Sequence, residues 1–81
     1  MVFFAITLQG LDSYMQLQRF DHPLWLGGGV ANESILGQLR AQHVALSVFN
    51  DAIDPSDSDR IEGALDTIRE HHPEHIVWVG C

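Results

Sequence analysis

The sequence predicts a small α/β domain: a mostly parallel sheet of three or four strands carrying two or three helices. Two observations predict it. Short apolar runs of the kind buried on both faces of a sheet alternate with segments of helical period, roughly one such unit every 25 to 30 residues. That alternation calls for crossover connections, which join parallel strands. The second observation is size and composition. The chain has 81 residues, 46% apolar and 19% charged, which suits a single globular domain, 1–81, and is too short for two. A core this small stabilises its chain only marginally, so association with itself or with another protein is expected.

Each element has its own signal. Residues 2–8, apolar and β-favouring up to Gln9-Gly10, read as the first strand. Residues 11–20 admit two readings. Asp12 or Ser13 can cap a short helix with Leu11, Tyr14 and Met15 on neighbouring turns, the reading we favour. Alternatively the alternation of the segment makes it a strand closing an N-terminal β-hairpin, which would give a mixed sheet. Pro23 ends whatever precedes it. Leu24-Trp25-Leu26 is a short strand, Gly27-Gly28-Gly29 a loop, and Asn32 the N-cap of a helix through Ile35, Leu36 and Leu39. Residues 44–49 read as another buried strand. Asp54 to Asp59 is a polar loop rich in capping residues, and Ile61, Leu65 and Ile68 give residues 57–71 the clearest helical period. Residues 76–79 form the last strand.

Charge narrows the function. The net charge is -7, with four basic residues, all arginine, against eleven carboxylates. Binding a duplex or an anionic membrane needs clustered cations, so neither nucleic acid nor a membrane is expected as a partner. Eight of the eleven carboxylates fall after residue 50, all but Glu74 in the last helix and its leading loop. One cysteine, Cys81, makes no internal disulfide framework. The apolar start has no basic leader and no run approaches a membrane span, so a cytoplasmic protein is expected.

In open parallel sheets, ligands collect at the carboxyl ends of the strands. On this reading that rim holds Gly27, Gly28, Gly29 and Asn32, with Asp12 and Asp51 on neighbouring strand ends. Glycines without a Cβ let a backbone wrap an anion at a helix N-terminus. Against this, the Walker lysine and the GxGxxG spacing are both missing, and a tight strand-to-helix turn accounts for the glycines as well. Asp12 and Asp51 can hold one Mg²⁺ if they face each other. The spacing of Asp51, Asp54 and Asp57 departs from a calcium loop. His71, His72 and His75 gather at the end of the last helix, where histidine suits the helix dipole. No catalytic residue, metal site or cofactor is assigned.

Three functions follow in order of preference. The first is a non-enzymatic protein-interaction module, a homodimer or an assembly subunit, pairing through strands near the two ends of the chain. The second is an acidic inhibitor or immunity-type protein that covers a basic site on a partner. The third is a small anion- or nucleotide-binding domain using the glycine loop. Trp25, Trp78 and the phenylalanines are expected in the core or at an interface.

Overall fold

Strands β1 (Val2–Ala5), β2 (Leu24–Leu26), β3 (Leu46–Val48) and β4 (Val77–Gly80) line up in parallel in the order β3-β2-β1-β4. They alternate with helices α1 (Leu8–Leu17), α2 (Glu33–Ala41) and α3 (Ser58–His71). This computed structural model describes residues 1–17 and 21–80. The expected α/β architecture is present, with four strands and three helices. The N-terminal hairpin is not: residues 8–17 are helical, and every described strand pair is parallel.

β1 is an inner strand, buried at every position and paired with β2 and β4, so of the two end strands expected to offer a pairing edge it offers none and β4 alone lies at an edge. The side chains of β1 alternate between two cores, as the period of a strand requires. Phe3 and Ala5 join Leu11 and Tyr14 of α1, Leu39 of α2 and Leu24 and Leu26 of β2. Val2, Phe4 and Ile6 join Trp25, Ile53 and the inner face of α3 at Ala64, Leu65 and Ile68. Helices α1 and α2 therefore cover one face and α3 the other, making three layers. From β1 the chain steps outward to β2 and β3, then α3 carries it back across the opposite face to β4. The junction of β1 and β4 is the point where the winding reverses.

Several boundaries differ from the sequence reading. β1 ends at Ala5 because Thr7 starts the helix: its Oγ1 accepts the Gly10 N–H at 3.1 Å, a role expected of Asp12 or Ser13. The part of the helix reading that falls on residues 18–20 lies outside the described residues. β3 is a short edge strand whose Val48 is exposed, not the buried six-residue strand expected. Val44 is buried ahead of it, below α2.

α2 and α3 begin as the sequence indicates. Asn32 Oδ1 accepts the Ile35 N–H at 2.9 Å, and Asp57 Oδ1 accepts the Arg60 N–H at 3.1 Å. Each bond satisfies one donor left open by the first helical turn.

Candidate functional site

The carboxyl rim brings some of the expected residues together and separates others. Gly27 N–H donates to the Ala5 carbonyl and Gly28 N–H to the Asp51 carbonyl, both at 3.0 Å. A Cβ at Gly28 would lie 2.6 Å from the Asp51 carbonyl carbon, so only glycine fits this crossing. Gly29 turns the chain with φ +79, a conformation glycine takes without strain. The glycines thus bind the end of β2 to the loop after β3, and Asn32 caps α2. Above them lies a shallow depression of about 350 Å³. Its walls are mainly apolar, with Ile6, Leu8, Val30 and Ile53, and carry no charged side chain.

Asp12 and Asp51 do not share one hollow. The Asp51 carboxylate is exposed and 4.0 Å from Arg60 of α3. Asp12 stands on the outer side of α1, lining a crevice beside β4. Among the described residues no group of three or more His, Cys, Asp or Glu side chains could hold a metal ion.

That crevice adjoins the most unusual surface of the fold. β4 pairs with β1 on one side, and among the described residues no strand lies on the other. Val2 N–H donates to the Ile76 carbonyl and Ile6 N–H to the Gly80 carbonyl, at 2.8 and 2.9 Å. Residues 76, 78 and 80 therefore turn their backbone groups toward β1, and Val77 and Val79 turn theirs outward. Nothing in β4 is charged. Charged side chains and prolines are the usual protection of such an edge.

Side chains on this edge are apolar and wet. Trp78 is 38% exposed and Ile76, just before β4, 78%. The Trp78 ring packs on Phe3 with centroids 5.0 Å apart and leans over Gly80, where a Cβ would lie 2.7 Å from it. Met1 and Leu17 border the same ring around an apolar hollow of about 240 Å³. Toward the carboxyl end the hollow gives way to the crevice, about 670 Å³, walled by Trp78 and by Gln9, Asp12, Ser13 and Gln16 of α1. These four residues recur at the spacing of one helical face. All four are exposed.

Two charged or titratable regions lie elsewhere. Asp59, Glu62, Asp66 and Glu70 form an exposed acidic face on α3. At the opposite rim, the rings of His71 and His72 meet Trp25 at 5.3 and 6.1 Å, and His75 stands 5.8 Å from His72. His71 is fixed by its Nδ1–H, which donates to the Thr67 carbonyl at 3.0 Å. Burial, then the positive charges that His75, His71 and the N-terminal amine can carry, lower the pKa of His72.

The sequence placed Trp78 in a core or at an interface, but strand order decides that β4 is an edge. The polar face of α1 follows from a spacing of three, four and seven only for a helix that starts at Leu8, ahead of the start the sequence predicts. No helix is long and apolar enough to cross a membrane, among the described residues. Comparison with protein families, with curated proteins and with solved structures finds no match to this chain.

Proposed function

We propose that the chain is a non-enzymatic interaction module that self-associates, with β4 as the contacting edge. One observation carries this reading: an uncharged edge strand with outward backbone groups at Val77 and Val79 and a partly exposed Trp78 beside them. Pairing this edge would satisfy backbone donors and acceptors and remove an indole ring from water, two gains in one contact.

Light scattering across a concentration series tests it. The expected result is a mass that rises from monomer to dimer in the micromolar range, with dimerisation strengthened by salt. Each copy carries a net charge of -7, and salt screens the repulsion between copies. A strict monomer at high micromolar concentration would contradict the reading.

The acidic face of α3 favours a second reading, in which Asp59, Glu62, Asp66 and Glu70 steer the chain onto a basic site of another protein. Its salt dependence has the opposite sign. Association with a cationic partner weakens as salt rises, whereas self-pairing through an uncharged edge does not.

A further inference from the structure

The rim at the amino ends of the strands carries a clasp of aromatic rings. His71 and His72, consecutive at the end of α3, both contact the Trp25 indole, with centroids at 5.3 and 6.1 Å, and His75 stands edge to face on His72 at 5.8 Å. Trp25 is buried beneath them against Phe49. We propose that this clasp is an acid-released latch: on acidification His72 leaves Trp25 for water, and residues 72–76 swing away from the sheet while the rest of the fold holds. The backbone of this segment is held by the His72 N–H on the Ile68 carbonyl at 2.9 Å, the His75 N–H on the His72 carbonyl at 3.2 Å and the Val2 N–H on the Ile76 carbonyl at 2.8 Å. Pro73 has no N–H to add and keeps α3 from continuing through the segment.

Charge around the clasp decides which ring moves. His71 accommodates a proton, because its Nδ1–H bond to the Thr67 carbonyl persists in the cation and the carboxyl end of α3 favours positive charge. His72 is different. It is half-buried, and the charges that act on it are all positive: His75 from the turn, His71 from the helix and the Met1 amine from the start of β1. β4 contributes no charge. Glu70 and Glu74 are exposed, Asp66 pairs with Arg69 at 3.5 Å, and Asp21 and His22 act on Tyr14 and Phe3 of the opposite core. In water an imidazole takes its proton near pH 6.5, and in the clasp His72 resists it, so acid below that value favours the released form. The segment that lets go is the approach to β4, so acid loosens the amino end of the edge strand.

Trp78→Phe leaves Trp25 as the only indole and makes it the reporter. Between pH 8 and 5, acrylamide quenching of Trp25 should rise about twofold or more, the signature of a local opening. Over the same range the Val2 and His75 amides should lose protection, after correction for the intrinsic pH dependence of exchange. The Leu24 and Phe49 amides, bonded to the Ala45 and Leu26 carbonyls, should keep theirs. His72→Phe retains a ring that cannot titrate and should abolish the response, whereas His22→Gln should leave it intact. Three results would each overturn the latch: no gain in acrylamide access down to pH 5, a response that persists in His72→Phe, or loss of protection at Leu24 and Phe49 with the same midpoint.

Discussion

Gly10 of α1 and Gly80 of β4 meet backbone against backbone. A Cβ at Gly10 would lie 2.6 Å from the Gly80 carbonyl carbon and 2.9 Å from its Cα. This contact seats α1 on the end of β4 and sets the helix at the height where Ser13 and Leu17 border Trp78.

Gly10→Ala should therefore destabilise the fold even though alanine favours helix. Forcing a methyl group against backbone costs about 1 to 3 kcal/mol, more than the roughly 1 kcal/mol gained in helix propensity. Gly63→Ala in α3 is the contrast, since a Cβ there meets nothing within 4 Å. It should stabilise by about 0.5 to 1 kcal/mol. Urea midpoints measure both, and the two substitutions should move them in opposite directions.

Tyr14 links the stability of the fold to alkaline pH. Its hydroxyl donates to the His22 carbonyl at 2.8 Å, and burial, with Asp21 adding to it, pushes its pKa up to about 12. An unfolded tyrosine ionises near pH 10, so between pH 10 and about 12 the folded chain keeps a proton that the unfolded chain has lost. Stability should fall across that window and level off above it. Tyr14→Phe should flatten this slope and lower stability at neutral pH by about 1 kcal/mol. The single tyrosine makes phenolate absorbance a direct readout.

His72 sets a slope at the acidic side. Its pKa in the folded chain is below the ordinary 6.5. As pH falls through 6.5 the unfolded chain takes up a proton that the folded chain resists, so stability present above that value is lost. Thermal unfolding between pH 7.5 and 5 should show the decline, and His72→Gln should make it shallower. An unchanged slope would remove His72 as the cause.

Asp12 is the charged member of the α1 stripe. It lines the crevice beside β4, so in a dimer paired through that edge its charge opposes association, and Asp12→Asn should tighten dimerisation several-fold at low salt and less at high salt. Light scattering at two ionic strengths checks the sign.

The fold was largely legible because its signals are local. The both-face burial of β1 was written in an unbroken apolar run, and the period of Ile61, Leu65 and Ile68 gave α3. Starts of helices were legible where a cap stood next to a periodic segment, as at Asn32, and missed where Thr7 followed a strand without a turn signal. The run 44–49 predicts a longer strand than β3 because Val44 is a core residue whose N–H bonds to the Leu39 carbonyl at the end of α2 and not to a neighbouring strand.

The candidate site was less legible. The glycine run is the most prominent motif in the sequence, yet Gly28 is explained by its crossing of the Asp51 backbone. Trp78 and the outward edge of β4 depend on strand order, which follows from how α3 crosses the sheet and not from any residue in β4 itself.

Residue-resolved amide exchange at low and high concentration tests the central claim most directly. Trp78 N–H bonds to β1 in either state and should exchange slowly throughout. The N–H groups of Val77 and Val79 should exchange fast in dilute monomer and become protected as the dimer forms. Fast exchange at both valines in concentrated protein, with Trp78 still protected, would contradict pairing through β4.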